Sequence, residues 1–253
     1  MVGDVVGKPG RKAVSTLLPE LRKKHDIDLI IANGENAAGG IGLTPETAEE
    51  LFKFGVHVIT SGNHIWHHKE IIPYLENEPR VLRPLNMPPG VPGSGYFVTE
   101  KAMVVSLMGR VFVGHFDCPF RAMDQLLEEV NPRPSVIVVD FHGEATAEKA
   151  ALGWYLDGRV SAVLGTHTHV GTIDVRILPQ GTAFVSDVGM VGATHSVIGD
   201  DVDSVIQRFL TMMPHRLSVG KGNPMFNSVL LDVDDESGKA LSICRLDMEL
   251  SER

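Results

Sequence analysis

Eight side chains in this 253-residue chain have the types and spacing to hold metal ions. They stand at the ends of five short apolar runs: Val2-Gly3-Asp4, Ile30 to Asn36, Val58 to His64, Val138 to His142 and Ala162 to His169. The eight are Asp4, Glu35, Asn36, Asn63, His64, His142, His167 and His169. Together they mix carboxylate, amide oxygen and imidazole, a set that suits iron, manganese or zinc. So many donors exceed what one ion needs. Two ions about 3.5–4 Å apart, bridged by a carboxylate, serve in-line displacement at phosphorus, so the donor set points to a two-metal hydrolase.

Each motif also has a plainer reading. Gly165-Thr166-His167-Thr168-His169 puts two imidazoles two residues apart on a tight loop, within reach of one ion or two; otherwise it is a polar turn with two surface histidines. Asn63 offers a neutral amide oxygen, and the neighbouring His64 need not ligate but could protonate a leaving oxygen. The pair could equally be an Asn-His turn closing a strand. Glu35 at the end of an apolar strand is costly unless paired, either by metal ions, which would make it the bridging carboxylate, or by an arginine such as Arg83. Asp4 alone is a turn former and His142 alone a core histidine; only convergence promotes them. Asp140, Glu144 and Asp174 are candidates to orient the imidazoles. Arg110 and Asp117-Cys118-Pro119-Phe120-Arg121 could form a lip with an aromatic for a nucleobase, or could simply pack. His57 reads as structural, and His25, His67, His68, His115, His195 and His215 receive no assignment.

These side chains need strands that deliver them to one place. Runs rich in β-branched residues read as buried parallel strands, whose carboxyl-end loops share a crevice in an open α/β sheet. Strands are predicted at Leu29–Ala32, His57–Thr60, Met103–Leu107, Ser135–Phe141 and Val160–Leu164. Helices alternate with them at Arg11–Lys24, from Thr44 to Phe54, His67–Leu75, Arg121–Val130 and Glu144–Tyr155. Val14, Leu17, Leu18 and Leu21 give the first helix one apolar face, and Thr44-Pro45-Glu46 is a strong helix start. The Pro- and Gly-rich stretch from Arg83 to Gly95 reads as a surface loop near the pocket. Beyond His169, short alternating segments at Ile173–Leu178, Ala183–Ser186, Asn227–Val233 and Leu241–Leu246, with a helix at Val202–Met212, suggest a second, more antiparallel sheet. That region adds scaffold and no new ligand cluster.

The elements run without a Pro/Gly/Ser linker, so the expectation is one domain over 1–253. A formal charge of −9 argues against nucleic acid or an anionic membrane as a stable partner. It does not forbid an anionic substrate, because two divalent ions would reverse the field inside the pocket. Cys118 and Cys244, far apart, read as free thiols in a reducing compartment. With neither a leader pattern nor an apolar run near ~18 residues, a cytoplasmic protein is expected.

Taken together, Gly3-Asp4-Val5-Val6-Gly7, Asn33-Gly34-Glu35-Asn36-Ala37, Gly62-Asn63-His64, Asp140-Phe141-His142-Gly143-Glu144-Ala145-Thr146 and Gly165-Thr166-His167-Thr168-His169 resemble the calcineurin-like metallophosphoesterase superfamily, and more closely its bacterial YmdB-like branch. The similarity extends to Arg83-Pro84-Leu85-Asn86, Gly153-Trp154-Tyr155 and Ser186-Asp187-Val188-Gly189-Met190. It implies an α/β fold, a four-layer αββα sandwich of two mixed sheets flanked by helices, around a di-iron or di-manganese centre. It also implies that Asp4, Glu35, Asn36 and His169 hold one ion, that Glu35, Asn63, His142 and His167 hold the other, and that His64 is the general acid. Members of the branch act as phosphodiesterases on cyclic nucleotides, including the 2′,3′ kind.

The chain departs from the family in four ways. The superfamily usually opens with Asp-X-His, whereas Asp4 is followed by Val5-Val6, and Glu35 stands where many relatives have Asp. Only Met1 and Val2 precede Gly3-Asp4, so either the start lies late or the first strand is trimmed; the expectation is a loosely held Asp4 and a less occupied ion there. Cys118 stands where relatives often carry Asn, which bears on substrate choice at the lip.

The leading expectation is therefore a phosphodiesterase in which a hydroxide activated by two ions attacks phosphorus while His64 protonates the departing oxygen. Its substrate would be a small phosphodiester, a 2′,3′- or 3′,5′-cyclic nucleotide. A phosphomonoesterase with the same centre stays open, as does a regulatory protein that binds a nucleotide or partner with little turnover. Association with further copies of itself also stays open.

Overall fold

The computed structural model describes residues 1–250. The first half runs β1 (Val2–Val5), α1 (Gly7–His25), β2 (Ile31–Asn33), α2 (Pro45–Lys53), β3 (Val58–Thr60), α3 (Ile71–Asn77), β4 (Tyr96–Val98), β5 (Met103–Met108) and α4 (Pro119–Glu129). There follow β6 (Ile137–His142), α5 (Thr146–Tyr155), β7 (Ala162–Thr166), β8 (Arg176–Ile177), β9 (Ala183–Val185), β10 (Met190–Asp200) and α6 (Val202–Thr211). The chain closes with β11 (Val219–Phe226), β12 (Val229–Val233), β13 (Ala240–Arg245) and β14 (Met248–Glu249).

The strands build two six-stranded mixed sheets, ordered β14-β11-β10-β1-β2-β3 and β4-β5-β6-β7-β9-β8, with β12-β13 as a separate antiparallel pair. Three apolar layers hold four structural layers together. Val14, Leu17, Leu18 and Leu21 of α1 and Ala48 and Leu51 of α2 pack on one sheet with Ala32 and Ile59. Met123, Leu126 and Leu127 of α4 and Leu152 of α5 pack on the other with Met103, Val105, Ile137, Val139 and Phe141. Between the sheets lie Ile31, Val58, Val104, Val138, Ala162, Leu164 and Val185. This is the αββα sandwich the resemblance implies.

The local signals worked where they were strong. Thr44 caps α2 by accepting from Thr47 N–H, with Pro45 in the first turn. Three expectations need correction. Of the late strands only β12 and β13 form an antiparallel sheet of their own: β8 and β9 extend the sheet of β5–β7, while β10, β11 and β14 extend that of β1–β3. The helix expected over 67–75 spans Ile71–Asn77, with His67 and His68 in the turn before it. The first strand is not two residues but four; β1 pairs in parallel with both β10 and β2, and Asp4 is fully buried, so the ground for a loosely held Asp4 falls away. No helix of the described residues is long and apolar enough to cross a membrane.

Candidate metal centre

Alternation along the strands explains which side chains reach the centre. On β6, Ile137, Val139 and Phe141 face the helices, so Val138, Asp140 and His142 share the inter-sheet face. By the same phase Thr166 follows Ala162 and Leu164 on β7, Asn33 follows Ile31 on β2, and Thr60 follows Val58 on β3. The apolar layer is thus capped at its carboxyl end by a polar plug. Asp140 sits at its middle, accepting from Asn33 Nδ2 at 3.0 Å, from Thr166 Oγ1 at 2.6 Å and from Thr60 Oγ1. Each fully buried aliphatic below contributes roughly 1.5–3 kcal/mol, enough for the layer to carry a plug whose members are all hydrogen-bonded.

Above the plug, loops from both sheets bring the donors together. His142 Nε2 lies 2.9 Å from Glu35 Oε1 and 3.0 Å from His167 Nδ1, so a carboxylate and two imidazoles converge within 4.8 Å. Asp4 Oδ1 faces His142 at 3.8 Å and His169 Nε2 at 3.9 Å, and Asn36 Nδ2 lies 3.1 Å from His169 Nε2. Glu35 Oε2 accepts the His64 N–H at 3.3 Å, and Asn63 Nδ2 lies 3.1 Å from His64 Nε2. All eight sequence candidates therefore meet at one place. Two buried acceptors there, Asp4 Oδ1 and Asn63 Oδ1, have no hydrogen-bond partner. Stranding buried acceptors is costly, and a cation beside each removes the cost; the hard oxygens and borderline nitrogens fit first-row divalent ions.

The outer nitrogen of each imidazole is anchored. Thr166 spends its one hydroxyl proton on Asp140, so its oxygen accepts from His142 Nδ1–H at 2.9 Å, and Nε2 is the ring nitrogen turned to the pocket, where its proton meets Glu35 and would give way to a metal ion. His169 Nδ1–H donates to the Ile198 carbonyl at 2.6 Å, and His167 Nε2 faces Glu144 Oε2 at 3.2 Å, which leaves His169 Nε2 and His167 Nδ1 turned inward. Asp140 and Glu144 are thus partners of the kind expected. Asp174 is not; it accepts from Ser186 and Thr172 and holds the loop below.

Backbone geometry sharpens the site. His167 and His169 have φ of 104° and 66°, a left-handed conformation that costs of order 1–3 kcal/mol each. His167 N–H is held by Asp4 Oδ2 at 3.1 Å. At Gly62 a Cβ would stand 2.2 Å from His142 Cδ2 and 2.3 Å from Glu35 Oε2, so only glycine lets that loop pass.

Charge follows from this packing. Burial alone would raise Glu35, but the adjacent His142 wins and brings it to about 2; burial would lower His142, but Glu35 raises it to about 9. Burial lifts Asp4 to about 6 against the pull of His169 and His142, and burial with the His142 charge drops His167 to about 3. His64 is held below the ordinary histidine value by burial, with Glu35 opposing.

Other expectations resolve as follows. Glu35 pairs with His142 and not with Arg83, whose guanidinium binds the carbonyls of Pro84 and Leu85. His57 is structural, its Nδ1 accepting from Ile30 N–H. Of the expected lip, Pro119, Phe120 and Arg121 belong to α4, with Phe120 packed on Tyr155, and loop 109–118 lies before them: Gly109 N–H binds His142 O, Glu148 holds the N–H groups of Arg110 and Val111, and Asp117 N–H binds Asn86 O. A cavity of about 530 Å³ opens there, lined by Arg110, His115, Phe116, Asp117 and Glu148 among others. Cys118 and Cys244 are free. Sequence reasoning missed Asn33, Thr60 and Thr166 as the plug, although all three were visible as polar residues closing apolar strands.

Comparison with known proteins gives the family and the fold. The family model for YmdB-like protein matches residues 1–246. A Bacillus subtilis protein named 2′,3′-cyclic-nucleotide 2′-phosphodiesterase is 45% identical over 249 residues, covering 97% of this chain and 94% of the relative. A Mycoplasma pneumoniae protein named putative phosphatase/phosphodiesterase is 35% identical, covering 95% of this chain and 89% of the relative. Among solved structures, a hypothetical protein from Thermus thermophilus superposes with TM-score 0.92 at 46% identity, over 98% of this chain and 97% of that one. A structure described as a novel phosphatase from Mycoplasma pneumoniae superposes with TM-score 0.92 at 33% identity, over 98% and 92%.

Proposed function

Since the chain belongs to the YmdB-like family and is a phosphodiester hydrolase, we propose that it cleaves cyclic nucleotides, of the 2′,3′ or 3′,5′ kind, at a dinuclear centre held by seven of its eight converging side chains, with His64 as the eighth beside it. The observation that carries the reading is the pair of stranded acceptors, Asp4 Oδ1 and Asn63 Oδ1, flanking a carboxylate and inward-turned imidazoles. Asp4, Asn36 and His169 would hold one ion, with the Asn36 amide turned to offer its oxygen. Asn63, His142 and His167 would hold the other, and Glu35 would bridge them. Iron or manganese suits these donors, with zinc as an alternative. When bound, such ions lower the pKa of a water and neutralise charge on phosphoryl oxygens.

The chain's own groups do the rest. Asn63 works at both ends: its oxygen is free for an ion, while its N–H engages His64 Nε2, which puts the proton of neutral His64 on Nδ1. Glu35 Oε2, by taking the His64 N–H, fixes the start of that turn relative to the bridge. His64 then stands at the rim as the acid for the departing oxygen. Its lowered pKa makes it a ready donor and confines its charged form to the acid side of the ordinary histidine range. The cavity beside loop 109–118, with Arg110 and Phe116 in its lining, is offered to the nucleoside part of the substrate.

The test is hydrolysis of 2′,3′-cyclic AMP, 3′,5′-cyclic AMP and 3′-AMP with Mn²⁺. Release of a nucleotide from either cyclic substrate, faster than phosphate release from 3′-AMP, supports the proposal. Preference for 3′-AMP would instead favour a phosphomonoesterase, as the names of the Mycoplasma relatives allow.

A further inference from the structure

Below the ligand loop lies a second buried ionic cluster. Lys149 of α5 and Asp187 are 2% and 1% exposed, and Lys149 Nζ donates to Asp187 Oδ2 at 2.7 Å. The lysine stem runs close to the loop, since a Cβ at Gly165 would meet Lys149 Cδ at 3.1 Å. The same Asp187 Oδ2 accepts the Thr168 N–H at 3.0 Å and the Thr168 hydroxyl at 2.8 Å, while Oδ1 accepts Gly189 N–H at 2.8 Å. From the far side Arg245 of β13 binds the carbonyls of Thr172, Asp187 and Val188, so the 229–245 hairpin holds this segment in place.

Thr168 is the residue between the two left-handed histidines, and its backbone and hydroxyl are both fixed by one carboxylate. Two charges buried together recover little net stability, because desolvation offsets their attraction. What such a pair can give is geometry. A neutral acceptor would bind Thr168 less tightly, and an Asp187 without Lys149 would be an unpaired charge in the interior. We propose that Lys149 and Asp187 are positioning residues for the metal centre, holding the strained His167-Thr168-His169 loop so that both imidazoles enter one pocket, a role that presupposes the dinuclear centre proposed above.

The experiment is Mn²⁺ titration of the full chain, followed by calorimetry, with thermal unfolding as the companion readout. Thr168→Val keeps the shape and removes the hydroxyl donor; Thr168→Ser restores it. Lys149→Met with Asp187→Asn removes both charges together, so a fold lost in either single variant need not be lost in the double. The expected result is a folded Thr168→Val and a folded double variant whose Mn²⁺ affinity is about 10–100-fold weaker than wild type, with Thr168→Ser near wild type. If these folded variants bind Mn²⁺ within about two-fold of wild type while melting lower, the pair is purely structural and the proposal is overturned. If the wild type takes up no Mn²⁺, the dinuclear reading fails first and the positioning role falls with it.

Discussion

Gly62→Ala adds one methyl at the most crowded point of the centre. Its Cβ would lie 2.2 Å from His142 Cδ2, 2.3 Å from Glu35 Oε2 and 2.4 Å from His142 Nε2. Ordinary contact needs about 3.5 Å, so His142 and Glu35 must each retreat by roughly 1 Å or the loop carrying Asn63 and His64 must lift by as much. The two side chains are 2.9 Å apart and buried, so their pairing cannot survive that retreat unchanged. Overpacking of this kind costs typically about 1–3 kcal/mol, and a 1 Å displacement of a reacting group costs about 10²-fold in rate. Gly34→Ala is the control, because its Cβ would meet Ile59 Cγ2 at 2.7 Å, an apolar side chain outside the ligand set. Both variants should melt below wild type. Gly62→Ala should in addition bind Mn²⁺ at least about 10-fold more weakly and lose at least about 10²-fold in diester hydrolysis. Equal Mn²⁺ affinity and turnover in the two variants would refute the claim that Glu35 and His142 form the floor of the centre.

Three further predictions follow from the same geometry. His64→Ala should lose about 10²–10⁴-fold in kcat with metal content unchanged, and the alkaline limb of its pH–rate profile should vanish; loss of metal along with activity would make His64 a ligand instead. Thr166→Val strands Asp140 Oδ1 and His142 Nδ1–H, at about 1–3 kcal/mol for each buried group, whereas Thr166→Ser should be near wild type; equal melting temperatures for the two would contradict the hydroxyl relay. In metal-free protein the His142 pKa is raised from 6.5 to about 9, so its contribution to stability is complete below pH 6.5 and lost as pH rises through 9. Glu35 is lowered from 4.5 to about 2, so its contribution is complete above pH 4.5 and lost as pH falls through 2. Urea unfolding should therefore show the largest penalty for Glu35→Gln between pH 4.5 and 6.5, and a penalty that grows above pH 9 would contradict the pairing.

The candidate donors were legible because each stands in or just after an apolar strand in a chain otherwise sparing with such clusters. Convergence was legible too, but its cause was not. One open sheet would bring five loops to one edge; in fact β1, β2 and β3 belong to one sheet and β6 and β7 to the other, and the two are stacked with their carboxyl ends aligned. A strand buried on both faces shows no alternation in hydropathy, so the phase that puts Asp140 and His142 inward and Phe141 outward could not be read from Ser135–Phe141. The long strands β10 and β11 escaped for the opposite reason: Gly192, Gly199, Gly220 and Gly222 with His195 and Lys221 read as turn and surface. The Lys149–Asp187 pairing could not be read: a lysine on a helix reads as solvated, and Asp187, though inside the Ser186–Met190 motif, carries no sign of its partner.

The central claim is that seven residues carried by two stacked sheets form one dinuclear centre beside His64, and counting ions tests it most directly. Elemental analysis of the protein prepared without chelator and saturated with Mn²⁺ should give about two ions per chain, the number a bridging carboxylate between paired sites requires. A count near zero in folded protein would contradict the account, and so would a single ion unaffected by Glu35→Ala.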